Sequence, residues 1–334
     1  MTFTYVAAFL AALVSALAAT PVVRRAAIRF QILDHPSDRK GHPDPVPYLG
    51  GVAIIVAFTV TVVAGAVVRG AGAAGPQIIA ILGGALLLAG MGLWDDLRQV
   101  PGWVKVPIEI ALGVVLFFAG SRAQLFGIWP LDLLITIGWV VGITNAVNYM
   151  DNMDGLTAGV VTIASAYYLA LAGLSGQFLV AALSAALAGC ALGFLWHNRP
   201  PARIFMGDAG SLFMGFILAG LGLELRFENI PRVTFFVPVA VMSVVILDAL
   251  MVSVSRVKKG LSPIQPGRDH ISHRLVKTGI PPKGAVGIIY FAAAAAGWIG
   301  LVISLAEPKI AYMLMGWVVA VGLFAGLLLL RVDV

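Results

Sequence analysis

The chain has 334 residues, 60% of them hydrophobic and only 11% charged, with a net charge of +6. Long apolar runs recur over its whole length, which excludes a soluble globular domain and points to a polytopic membrane protein. A single cysteine, Cys190, lies inside an apolar run, so disulfides and cysteine-ligated metals are excluded as organising features and its role is packing.

Backbone polar groups must be satisfied within lipid, and the runs are far longer than the alternating segments of a barrel, so the predicted fold is all-α. Eleven apolar stretches read as spans, near 3–21, 49–68, 77–94, 106–119, 131–148, 156–173, 177–196, 209–224, 234–254, 285–304 and 310–330. No Lys or Arg precedes the first, which therefore reads as a span and not as a cleaved leader. With no repeat and no long linker, the expectation is one transmembrane domain over 1–334.

Orientation follows from the basic residues, because cytoplasmic loops retain positive charge during insertion. With the N-terminus outside, inner segments hold 17 Lys and Arg and outer segments five, namely Arg69, Arg122, Arg226, Arg232 and Lys309. The C-terminus is then cytoplasmic. Asp95, Asp96, Asp151, Asp154, Asp208 and Asp269 all fall on the inner face, although carboxylates took no part in choosing it.

The polar breaks carry the candidate chemistry. Asp95-Asp96 follows the third span, where an acidic pair at a helix C-terminus opposes the macrodipole at about 0.3–1 kcal/mol per charge, so a cation or a function is expected there. Adjacent carboxylates cannot both grip one ion unless the helix ends at the pair. Asn145, Asn148, Asp151 and Asp154 follow one another at i, i+3 spacing; nine residues turn a helix too far for one face, so the helix is expected to open near Asp151. Asp208, flanked by Gly207 and Gly210, opens the eighth span, where it could cap the helix or serve as one of the few carboxylates that Mg²⁺ takes alongside substrate phosphates. In the largest inner loop Arg268, His270, His273 and Arg274 surround Asp269; arginine forks recognise phosphate oxygens, and histidine donates to them or shuttles a proton. Lys40 and His42 form a smaller basic stretch with the same reading. Asp248, inside the ninth span and two turns before Arg256, needs a partner or a function. Glu109 is expected to snorkel to the inner interface. The basic inner face suits lipid headgroups and phosphorylated ligands, not nucleic acid.

Taken together, Arg39-Lys40-x-His42, Pro47-x-x-Gly50-Gly51, Asp95-Asp96, Asn145-x-x-Asn148-x-x-Asp151-x-x-Asp154-Gly155, Asn198 through Phe205-Met206-Gly207-Asp208, and His270-x-x-His273-Arg274 resemble the polyprenyl-phosphate N-acetylhexosamine-1-phosphate transferases over nearly the whole chain. The resemblance implies a bacterial inner-membrane enzyme with its site facing the cytoplasm. It would move HexNAc-1-phosphate, most simply GlcNAc-1-phosphate, from a UDP-sugar to a polyprenyl phosphate such as undecaprenyl phosphate, release UMP and initiate an envelope glycan. The cofactor implied is Mg²⁺, with Mn²⁺ as an alternative, and a homodimer is left open. It further implies Asp208, Asp95 and Asp96 as metal and catalytic centre, Asp95 as a base, Asp151 on the metal or nucleotide side, and His270 in catalysis. Asn148, Asp154, Asn198 and Phe205 would contact uridine, the Phe ring stacking on uracil. Lys40, His42, Lys105, Asn145, Arg268, His273 and Arg274 complete the implied substrate contacts. Two departures bear on the donor: the muramoyl-pentapeptide branch carries consecutive histidines where this chain has Ile271-Ser272, and a lysine where it has Gln99. The rivals are that branch and, from another class, a cation-coupled transporter, which would hold its charges near the midplane.

Overall fold

The computed structural model describes residues 2–36, 44–69, 75–98, 100–227, 234–262 and 267–334. Arg39, Lys40, His42, Gln99 and Pro266 lie outside the described residues. The helices are α1 (Thr2–Arg29), α2 (Gly50–Arg69), α3 (Pro76–Arg98), α4 (Gly102–Ala119), α5 (Trp129–Met150), α6 (Leu156–Leu174), α7 (Phe178–Asn198), α8 (Gly207–Glu224), α9 (Phe236–Val241), α10 (Ser243–Lys258), α11 (Ile271–Lys277), α12 (Pro282–Leu305) and α13 (Pro308–Leu329). A two-residue antiparallel pair, β1 (Leu33–Asp34) with β2 (Val46–Pro47), is the one departure from an all-α chain among the described residues.

Helix covers all eleven apolar stretches, and nine described helices are long and apolar enough to cross a bilayer. The eighth stretch, α8, carries an acid at each end. The ninth is not continuous: Pro238, which has no N–H to donate, sits inside α9, and the chain breaks one turn later at Met242 before α10 begins. The acidic pair lies at the C-terminal end of its helix, as expected, within the last turn of an α3 that runs on to Arg98.

At the centre stands α8, buried along nearly its whole length. In lipid, close helix packing depends on small residues that let backbones approach. A Cβ on Gly51 would lie 2.2 Å from the backbone nitrogen of Gly210, and one on Gly92 would lie 2.5 Å from the Asp208 carbonyl oxygen. Glycine at those two positions brings α2 and α3 against the first turn of α8. The β2 segment completes the cradle: Phe205 N–H donates to Pro47 O (2.8 Å), and Gly50 and Gly51 donate to Phe205 O and Met206 O (2.8 and 2.7 Å). At the periphery α13 keeps its apolar side chains exposed, as a lipid-facing helix does.

Candidate active site

Four elements meet where α8 begins. The Lys105 ammonium bridges Asp95 and Asp208, one carboxylate from α3 and one from α8. Lys105 can reach both because Pro101 starts α4 four residues earlier than the apolar run suggests, its carbonyl accepting from Val104 N–H at 2.9 Å. Asp95 also accepts the Val100 N–H, which folds the α3–α4 turn over the site. The other oxygen of Asp208 accepts from Asn148 Nδ2 at 3.0 Å, and the same amide nitrogen donates to Ser211 Oγ at 2.9 Å.

Asp96 has a different task from its neighbour. Its two oxygens accept the backbone N–H groups of Asp208 (2.7 Å) and Ala209 (3.1 Å), so it caps α8 from outside, where the helix dipole favours a negative charge. Gly207, at φ 76°, makes this approach possible, because a Cβ there would lie 2.6 Å from an Asp96 carboxylate oxygen. Asp96 thereby positions Asp208, and each of its oxygens keeps a second lone pair for a further ligand. Capping by Asp208 itself is not seen.

The polar run at the end of α5 opens at Asp151, as its spacing predicts, and Gly155 at φ 79° turns the chain into α6. Burial pushes the Asp151 carboxyl up to about 7, with the nearby Asp208, Asp96 and Asp154 charges adding to the shift. Asp154 accepts the Ala202 N–H at 2.8 Å. Asn198 is buried and binds the protein at both ends of its amide, accepting from Gly155 N–H (2.9 Å) and donating to Ile204 O (3.0 Å). Phe205 is half-buried beside this junction. Asn145 donates to Glu109, which is 0% exposed, so the expected snorkelling of Glu109 does not occur. The reason is direction: Glu109 lies one turn beyond Lys105 on the inward face of α4, where an amide partner waits on α5.

The last inner loop is held from within. Asp248, 2% exposed, accepts from His270 Nδ1 at 2.8 Å and from the Ile271 N–H at 2.7 Å. Its partner is thus His270; Arg256 instead faces Asp269 at 3.4 Å. Burial works against ionisation of Asp269, yet hydrogen bonds from Lys259, Ser255 and Arg256 hold its carboxyl below the ordinary range. Arg274 corrects an expectation: it is 2% exposed, and its guanidinium donates to Asp269 O, Ser255 Oγ, Leu329 O and Val332 O, stapling the loop to α10 and to the end of α13. A buried fork spent on those acceptors does not face a phosphate. His273 lies beside His270, ring centroids 6.1 Å apart, and burial, His270 and Arg268 pull it down to about 4. Arg268 is exposed. Ser272 is buried and donates to Asn152 Oδ1 at 2.6 Å, tying this loop to the Asp151 turn.

A cleft of about 1030 Å³ joins these groups, with Asp95, Lys105, Asn145, Asn148, Asp208 and His270 in its wall. From there it continues between α5 and α10 past Ile143, Trp139 and Phe235, so a polar end and an apolar end share one space. Lys40 and His42 lie outside the described residues, and Asn198, Asp154 and Arg274 do not line the cleft. Sequence reading missed Tyr149 and Arg256 as cleft residues; the guanidinium sits 5.8 Å from the Tyr149 ring centroid. Tyr149, next to Asn148, carried a signal in its position, whereas Arg256 is one of several basic residues in its segment.

The fold and this site define a helical membrane protein that gathers acids and a lysine at the helix ends of one face. Residues 78–226 match the family described as glycosyl transferase family 4. The chain is 32% identical over 295 residues to the probable undecaprenyl-phosphate N-acetylglucosaminyl 1-phosphate transferase of Bacillus subtilis (strain 168), covering 85% of this chain and 81% of that protein. It is 32% identical to the decaprenyl-phosphate N-acetylglucosaminephosphotransferase of Mycolicibacterium smegmatis, with 85% and 77% covered. Against the undecaprenyl-phosphate alpha-N-acetylglucosaminyl 1-phosphate transferase of Escherichia coli (strain K12) the identity is 26%, with 83% and 78% covered. The chain belongs to glycosyl transferase family 4.

Proposed function

We propose that this protein transfers GlcNAc-1-phosphate from UDP-GlcNAc to a polyprenyl phosphate, releasing UMP, as one bacterial inner-membrane domain with its N-terminus outside and its site toward the cytoplasm. The observation that carries the reading is the single cleft that runs from the Asp95–Lys105–Asp208 bridge to an apolar channel between α5 and α10. An acceptor with a charged phosphate on a long hydrocarbon needs both ends. The names of the three relatives supply the sugar and the acceptor class.

In the proposed step an oxygen of the acceptor phosphate attacks the sugar-bearing phosphorus of the donor. The bond to the bridging oxygen breaks, and that oxygen leaves with UMP. Asp95 stands where it can take a proton from a singly protonated acceptor phosphate. Lys105, already shared by two carboxylates, is placed to donate to phosphoryl oxygens as charge builds on the leaving group. Asn148 fixes the rotamer of Asp208 through a hydrogen bond, and Asp96 fixes its backbone. His270 donates its Nδ1–H to Asp248 and lines the cleft, which leaves its other ring nitrogen as an acceptor for a proton or hydrogen bond from the substrate. Asp95 and Asp208 are brought together by the Lys105 ammonium, and these two carboxylates would hold Mg²⁺ when that ammonium turns to the substrate's phosphoryl oxygens. Two carboxylates completed by substrate phosphates is how this ion is commonly held. Bound there, Mg²⁺ would neutralise the donor pyrophosphate.

Purified protein given UDP-GlcNAc, undecaprenyl phosphate and Mg²⁺ should release UMP only when the lipid is present, lose activity with EDTA and regain it with Mg²⁺. At equal concentration UDP-MurNAc-pentapeptide should be the poorer donor. UMP release that ignores the lipid would overturn the reading. Preference for the peptide donor would move the chain to the muramoyl branch.

A further inference from the structure

We infer that the groove between α1, α7 and α12 is a binding site for an anionic phospholipid whose phosphate is held by Arg199 and Lys283. The groove is a space of about 710 Å³ remote from the cleft, floored by Leu17, Leu195 and Val286 and open at the end where α7 stops and α12 starts. That end lies on the same membrane face as the candidate active site. Two cations stand at its mouth, and no carboxylate lines it. Both cationic side chains are exposed. The Arg199 guanidinium lies 3.8 Å from the Trp196 ring centroid, which holds the charge at the level where Trp sits in a bilayer interface. Arg24 adds to the positive field, its Nε donating to Arg203 O at 3.0 Å just below the same helix end.

A neutral lipid would cover the apolar floor but leave both cations unanswered, whereas an acyl chain with a phosphate and no compensating ammonium satisfies floor and mouth together. The groove wall is also tied to the site loop. Tyr290, which lines the groove, donates its hydroxyl to Gly155 O at 2.6 Å, and Ala202, three residues after Arg199, donates to Asp154. An occupant that fixes Arg199 and Tyr290 therefore braces the turn carrying Asp151 and Asp154.

The test uses the full chain in phosphatidylcholine vesicles containing phosphatidylglycerol brominated in its acyl chains, and the quenching that disappears in Trp196→Phe reports occupancy of the groove. Brominated phosphatidylglycerol should quench Trp196 in preference to brominated phosphatidylcholine. Each cation is worth about fivefold in affinity at an anionic surface, so Arg199→Gln with Lys283→Gln should lower the preference roughly thirtyfold. Arg199→Lys with Lys283→Arg should keep it, and so should Lys277→Gln, an exposed cation of the loop region outside the groove. Equal quenching by the two lipids, or an equal loss in Lys277→Gln, would show general surface attraction and overturn the site. Hydrogen exchange in the 151–160 segment should slow with phosphatidylglycerol in the parent protein and not in the double variant; unchanged exchange in the parent would overturn the bracing. Neither measurement depends on catalytic turnover.

Discussion

Replacing Lys105 with glutamine removes the cation that Asp95 and Asp208 share and leaves two carboxylates facing each other. Two charge-assisted contacts are worth about 3–6 kcal/mol when fully buried. These side chains are 13%, 15% and 23% exposed, so water screens the pair in part and one carboxylate can take up a proton, leaving roughly 2–3 kcal/mol. Turnover should fall further than stability, by about 10²–10³-fold, the usual cost of losing a donor aimed at developing charge. The informative experiment is a cycle of Lys105→Gln, Asp95→Asn and the double variant, with UMP release and thermal unfolding in detergent measured on each. If the bridge acts as a unit, the double variant should be far less impaired than the product of the two single losses, because the second change removes a charge already unpaired. Strictly multiplicative losses, or near-normal turnover in Lys105→Gln, would refute the bridge as the working centre.

Arg274→Ala should lower the unfolding temperature, since it leaves the Val332 and Asp269 carbonyls without their guanidinium donor, a loss of about 1–3 kcal/mol for each buried acceptor; unaltered stability with lost substrate binding would return this residue to the phosphate-binding set. His273, held near 4, stays neutral in the folded chain down to that pH while the unfolded chain gains a proton below about 6.5. Its contribution is therefore a loss of stability as pH falls from about 6.5 toward 4, and His273→Phe should flatten that limb of a stability profile; an unchanged slope counts against it. In a background with Cys190 replaced, cysteines placed at Pro101 and Gly267 should react only with reagents reaching the cytoplasmic side, and labelling from outside in intact cells would invert the proposed topology.

What the sequence determined by itself was the class. Apolar runs this long can only be spanning helices, because lipid offers no partner for open backbone, so helix covers every stretch expected. The opening at Asp151 was equally legible, since i, i+3 polar spacing cannot stay on one side of a helix for nine residues. Sequence could not say which member of an adjacent acidic pair does which task. Asp95 and Asp96 are equivalent in the chain, and only the approach of α8, allowed by glycines 92 and 207, turns one to Lys105 and the other to backbone amides. The same holds for the basic loop, where composition suggested a set of phosphate ligands. Tertiary packing divides that set, burying Arg274 against backbone carbonyls while Asp248, distant in sequence, turns His270 toward the cleft. Residue type and spacing fix what a side chain can bind, but its actual partner is whichever group the helix packing brings within about 3 Å.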